Sequence, residues 1–117
     1  MKEEREFTSV ADIPFTPTEP SLEGLDERVI VSAGQPGVVT RMLRFAPGID
    51  TSPNGTLTHD FWEEVYILRG EMTDLRLNET FSAGDYACRP PGMEHGPWRA
   101  GDEGCLTFEV RYSDGTV

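Results

Sequence analysis

Apolar and polar residues alternate along this chain in short runs. The runs are RVIVSA (28–33), VVTRMLRF (38–45), EVYILRGEMTDLRL (64–77), YACR (86–89) and GCLTFEVRY (104–112). They are separated by GQPG, APGIDTSPNG, NET and PPGMEHGP, and the last is followed by SDG. Alternation with period two, broken by Gly, Pro and Asn, predicts strands joined by turns. No segment holds a 3.6-residue period beyond two turns, and neither solenoid-type repeats nor low-complexity tracts occur. The pattern therefore predicts an all-β, single-domain antiparallel β-barrel of about eight or more strands. Residues 1–26, with Pro14, Pro17, Pro20 and several acids, read as an irregular N-terminal arm ahead of a barrel over 27–117.

Parity assigns faces to the strands. In the last run Leu106, Phe108, Val110 and Tyr112 share one side, which reads as the core face. Cys105, Thr107, Glu109 and Arg111 take the other. In EEVYILRG, Glu63 falls in with Val65 and Ile67, and Glu64 with Tyr66 and Leu68. Both sets are apolar, so this strand is expected to be covered on both faces. Whichever acid points inward has to be paired, ligated or protonated, because a lone buried carboxylate is too costly. Arg41 and Arg44 lie on opposite faces and read as surface or ion-pair residues.

Composition narrows the function. The chain has 117 residues, the size of one domain, and is long enough to bury a core without disulfides. Ten basic and 21 acidic residues give a net charge of −11. That argues against nucleic acid, which needs a positive footprint, and against an anionic membrane surface. No apolar run reaches the roughly 18 residues of a membrane span, and MKEEREFTSV has no apolar signal region, so a cytoplasmic protein is expected. Cys88 and Cys105 lie 17 positions apart without C-x-x-C spacing and read as reduced, buried thiols, with a disulfide as the alternative. Lys2 is the sole lysine and sits in the arm, which disfavours Schiff-base chemistry. No G-x-S-x-G and no phosphate loop with a following Lys occurs. His59 and His95 are the two histidines, so any imidazole chemistry rests on them.

Two motifs then stand out. Gly84, DYACR, Pro90, Pro91, Gly92, Met93, Glu94 and His95 follow one another without a gap. Upstream, His59, DFW, Glu63, EVYILR and Gly70 form a second pattern, with EMTDLRLNETFSA between the two. These resemble the two motifs of the cupins, over roughly residues 38–112. The wording EEVYILRGEMTD and YACRPPGMEHGPW is most similar to the branch holding acetylacetone-cleaving dioxygenases and the cupin half of zinc-binding anti-sigma factors. The resemblance implies a jelly-roll barrel (a double-stranded β-helix) around a divalent metal, Fe, Mn, Ni or Zn. His59, Glu63 and His95 would be its ligands, with Glu63 also a catalytic candidate. Family members are usually dimers, so a homodimer is expected. Imidazole and carboxylate groups suit such metals, and two His with one carboxylate leave coordination positions open.

The chain departs from the pattern at the first histidine of motif one, which falls on Leu57, and at its leading glycine, which falls on Thr51. Gly48, three places earlier, suggests an insertion in TSPNG, and Arg99 stands where the family often has Asn. Asp60 is the substitute fourth ligand if the loop is rearranged. Phe61 and Trp62 read as packing residues, and Gly70, Gly84 and Gly92 as turn glycines with positive φ. Three functions are compatible with these residues. One is a metal-dependent, dioxygenase-like enzyme acting on a small organic molecule. The second is a metal-free acid–base isomerase or cyclase, in which burial would raise the pKa of Glu63. The third is a non-catalytic barrel that binds a small molecule.

Overall fold

The computed structural model describes residues 2–35 and 37–113, so Pro36 and most of the SDG turn lie outside it. Its strands are β1 (Thr16–Leu22), β2 (Leu25–Ser32), β3 (Val39–Phe45), β4 (Trp62–Asp74), β5 (Glu79–Ser82), β6 (Tyr86–Arg89) and β7 (Trp98–Tyr112). Two single 3₁₀ turns, Val10–Asp12 and Ser52–Asn54, accompany them, and the described residues contain no α-helix. Every pairing is antiparallel, in the order β1-β2-β3-β7-β4-β5, with β6 also on β4. The all-β expectation holds, with seven strands among the described residues instead of eight or more.

The irregular segment ends earlier than the prolines suggested. Thr16–Leu22 forms a strand despite Pro17 and Pro20. It pairs with β2 alone, and an edge strand tolerates missing N–H donors. Lys2, Ile13 and Phe15 of the preceding segment contact the outer face of β2 and β3. Phe15 sits under the guanidinium groups of Arg28 and Arg44, at 4.2 and 4.0 Å. Arg28 Nε donates to the Ile13 carbonyl at 2.8 Å, and Lys2 Nζ to Thr40 Oγ1 at 2.9 Å. Met42, on the same outer face, is buried.

β4 and β7 are the longest strands and pair along most of their length. Gly70 of β4, at φ +82°, faces Cys105 across this seam. A Cβ there would stand 2.0 Å from the Gly104 carbonyl oxygen, so only glycine fits. Gly84 and Gly92 also have positive φ, as expected of turn glycines.

Alternation in β7 is real, but the faces are the reverse of those expected. Cys105, Thr107 and Glu109 are 5, 0 and 4 % exposed, while Leu106, Phe108, Val110 and Tyr112 are only half-buried. In β4, Glu63, Val65 and Ile67 point inward, and Tyr66 and Leu68 are 45 and 44 % exposed, so one face of that strand is open rather than covered. The interior has two zones. One is an apolar cluster of Leu25, Leu43, Phe45, Ile67, Met72, Ala100 and Cys105. The other is lined by charged side chains, which is why hydrophobicity misassigned the inside. Cys88 shares the outward parity of Glu64 and is exposed, contrary to expectation; Cys105 is buried. Both cysteines are free, and burial with the nearby Glu109 charge pushes the Cys105 thiol up to about 11.

Candidate metal centre

The two histidines arrive on neighbouring segments tied together by backbone hydrogen bonds. Leu57 and His95 exchange both N–H···O bonds, at 2.7 and 2.9 Å, and the Gly92 N–H donates to the His59 carbonyl at 2.9 Å. The turn after β6 is thereby fixed against the entry to β4. Glu63, the second residue of β4, points inward and is 2 % exposed. The structure thus brings together all three residues singled out by the motifs.

Ring orientation sets the chemistry. His59 Nδ1 lies 3.0 Å from the Phe61 carbonyl, and His95 Nδ1 lies 3.3 Å from that of Met93. A carbonyl only accepts, so each Nδ1 carries the proton and each Nε2 presents a lone pair. Both lone pairs face one oxygen: Nε2 of His59 and of His95 are 3.7 and 3.9 Å from Glu63 Oε1. Phe61 stacks on the His59 ring at 3.9 Å and holds its plane, a packing role as anticipated. Trp62 stacks on Tyr112 on the outside.

These residues fit a divalent metal. His59 Nε2 is buried with no hydrogen-bond partner, a costly state that an ion would relieve. The three ligand atoms lie within 4.8 Å of one another. Bonds of about 2.0–2.2 Å at tetrahedral or octahedral angles put ligand atoms about 3.0–3.5 Å apart, so the three groups must draw together by roughly 1 Å to share one ion. Carbonyl-anchored Nδ1–H groups are the usual support of a ligating histidine. Asp60 is exposed and outside this cluster, so it is no fourth ligand in this structure. Leu57 is 43 % exposed and lines the cavity, and its hydrocarbon side chain cannot ligate.

The site also contains residues that the sequence analysis did not assign to it. Arg89 Nη1 donates to Glu63 Oε1 at 2.9 Å, and Arg111 Nε to Glu63 Oε2 at 2.7 Å. Arg41 Nη2 stands 4.0 Å from Oε2. Arg41 bonds chiefly to two other acids: Nε and Nη2 reach Glu109 Oε1 at 3.1 and 3.0 Å, and Nη1 reaches Glu27 Oε1 at 3.0 Å. Glu109 also accepts from Thr107 Oγ1 at 3.0 Å. Outside, Arg44 pairs with Asp26 at 3.2 Å. A signal for this network was present: an inward acid on β4 calls for an inward base on the strands beside it, and Arg89 and Arg111 are the residues paired with Glu63.

Electrostatics follow from these contacts. Burial alone would raise the Glu63 carboxyl. Arg111, by charge and hydrogen bond, then Arg89 and Arg41, outweigh it and hold the group at about 2. The raised pKa that an acid–base role for Glu63 called for is therefore reversed. Burial, aided by the Arg89 charge, pushes His95 down to about 4, so it is a neutral ligand near pH 7. Glu109 moves the other way: its complete burial raises it against the pull of Arg41.

The chain resembles several solved structures. An RmlC-like cupin from Ralstonia eutropha superposes with a TM-score of 0.73 at 15 % identity, over 94 % of this chain and 69 % of that one. An acetylacetone dioxygenase from Acinetobacter johnsonii gives 0.69 at 15 % identity, over 94 and 75 %. The anti-sigma protein ChrR of Rhodobacter sphaeroides, solved in complex with SigE, gives 0.62 at 18 %, over 86 % of this chain and 50 % of that chain. These likenesses establish the fold. No curated protein matches the chain. The family model for the ChrR cupin-like domain matches residues 3–113, nearly the whole sequence, and the chain belongs to that family.

Proposed function

We propose that this protein is a small metal-dependent cupin, dioxygenase-like in its reaction class, that acts on a small organic molecule in its barrel. His59, Glu63 and His95 hold the divalent ion. When bound, the ion supplies a Lewis-acid and redox-capable centre with open positions for substrate. The chain's own residues do the rest. The Phe61 and Met93 carbonyls aim the imidazoles, and Arg89 and Arg111 keep Glu63 ionised. Glu63 then acts as a fixed ligand and not as a proton carrier. The observation that carries this reading is the buried, unpartnered Nε2 of His59 beside a second imidazole lone pair and a carboxylate oxygen. The cavity over the site, about 290 Å³, suits a small ligand.

The test is metal analysis and calorimetric titration of tag-free protein with Fe, Mn, Ni and Zn. One equivalent per chain is expected, removable by chelator, with His95→Ala losing it while remaining folded. Absence of binding to the native chain, or full occupancy in His95→Ala, would overturn the assignment.

Two further features belong to this reading. The half-exposed outer face around Tyr66 and Leu68 supports a homodimer. The exposed free thiol of Cys88 fits a reducing, cytoplasmic setting.

A further inference from the structure

The interior charges form one linked network in which the hydrogen bonds are unevenly shared. Arg41 spends its Nε, Nη1 and Nη2 groups on Glu27 and Glu109, so two acids share one base. Around Glu63 the ratio is inverted: two guanidinium groups share one carboxylate. A guanidinium has five N–H donors. Arg111 uses only Nε, and both of its terminal nitrogens have no hydrogen-bond partner among the described residues. Arg89 uses only Nη1, although its side chain is 9 % exposed. Both residues line the cavity that holds His59 and His95.

Arg111 is only partly buried, and the leftover donors of both guanidinium groups are available to a ligand in the cavity they line. A divalent ion on His59, Glu63 and His95 would add two positive charges beside this surplus. The same cavity is lined by hydrocarbon from Leu25, Leu43, Phe45, Val65 and Met72. The cavity thus offers both planar, forked cation donors and an apolar surface. Guanidinium forks match carboxylates in geometry and charge.

We infer that the ligand of this cavity is a small organic carboxylate, its anionic group held by the free N–H donors of Arg89 and Arg111 and its apolar body against the hydrocarbon wall. The inference deepens the functional reading above, because it takes the same cavity as the site. Its donors belong to the chain itself, however, and can be examined with or without metal. Arg111 has the larger part, since both ends of its fork are open. Arg89 is more buried and also lies 5.3 Å over the Trp98 ring, which makes that indole a reporter of events in the cavity.

The experiment titrates benzoate, pyruvate and phenylacetate against native protein. Each is compared with its neutral counterpart: benzamide, methyl pyruvate and phenylacetamide. Calorimetry and Trp fluorescence are read with and without one equivalent of Mn. At least one acid is expected to bind roughly tenfold to a hundredfold more tightly than its neutral counterpart, the range of a charged hydrogen-bonded contact. Mn is expected to tighten the acid further. On the metal-free protein Arg111→Gln should lose that preference, and the exposed Arg44→Gln should keep it. Equal binding of acid and neutral partner in every pair, or no binding of any acid with or without Mn, would overturn the inference. Failure of Mn to bind would instead overturn the metal reading, and the acid-to-neutral ratio on the metal-free protein would still decide this one.

Discussion

The two faces of β7 differ in a way that inverts the usual arrangement of a sheet. Inward, Thr107, Glu109 and Arg111 follow Cys105; outward, Leu106, Phe108, Val110 and Tyr112 stand half-buried. A protein selected for stability alone would turn the apolar set inward, since each buried aliphatic or aromatic side chain is worth about 1.5–3 kcal/mol. Buried ion pairs contribute little to stability and are often no better than the hydrocarbon that could replace them. The polar inner face is therefore explained by what it holds, and the apolar outer face by what it meets.

The largest expected effect comes from breaking the inner network at its centre. Glu63→Gln removes the hydrogen-bonded counter-charge of buried Arg89 and partly buried Arg111. Losing one partner of a buried pair costs about 3–5 kcal/mol. Urea unfolding should show that loss as a lowered midpoint with an unchanged slope. Replacing the whole group, as in Glu63→Met with Arg89→Leu and Arg111→Leu, should recover most of the stability while abolishing metal binding. If the triple variant is as unstable as Glu63→Gln, the inner charges are structural and the contrast between the faces has another origin.

A smaller effect is expected from Thr107→Val, which is nearly isosteric at a fully buried position. It removes the hydroxyl donor to Glu109 Oε2 and leaves a buried acceptor unmet, for about 1–3 kcal/mol. Thermal unfolding measures it, and an unchanged melting temperature would mean that Glu109 has no need of this bond.

How much of this was legible in sequence follows from the same contrast. The resemblance to the cupin motifs singled out His59, Glu63 and His95, which the fold brings together, and turn spacing carried the positive-φ glycines. Strand positions were legible because alternation survives in either orientation. Orientation was not, since assigning a face requires assuming that the interior is apolar. That assumption holds around Leu43 and Ile67 and fails around Glu63. It sent Glu109 and Arg111 outward and left Arg89 unassigned. Only the cost of a lone buried Glu63 pointed the other way, toward cationic neighbours on β6 and β7. β1 was hidden because Pro17 and Pro20 read as breakers, and only the sheet order reveals that they lie on an edge.

Leu57→His sharpens the comparison on the inner side. The hydrogen-bonded pairing of Leu57 with His95 sets the two residues directly opposite each other on adjacent segments. An imidazole at 57 can then turn toward Glu63 as a fourth ligand. Divalent-metal affinity should rise by an order of magnitude or more, at least about 1.4 kcal/mol. Calorimetric titration with Mn, Ni or Zn compares the two forms. Equal affinity would mean that the turn Ser52–Asn54 holds position 57 out of reach, and weaker binding that the leucine shapes the cavity.

The smallest effect on stability is expected on the outer face, where the readout is assembly. Tyr66 and Leu68 are 45 and 44 % exposed, and Tyr86 beside them is 58 %. The contacts of the N-terminal segment fall instead on Arg28, Thr40 and Arg44 of β2 and β3. The chain exposes 7127 Å². A compact monomer of its 13.0 kDa would expose about 6,300 Å². A second copy, presenting the same apolar strip across a two-fold axis, would cover the face without any additional element. Tyr66→Ser with Leu68→Thr should then change intrinsic stability by no more than about 0.5 kcal/mol per site, as for exposed positions elsewhere. It should also convert a dimer into a monomer by light scattering at micromolar concentration. Metal stoichiometry should not change, because both side chains point away from Glu63. A native chain that is already monomeric would remove the dimer. A variant that stays dimeric would move the interface to another face. A variant that unfolds would mean that the strip is packed within its own chain more tightly than its exposure indicates.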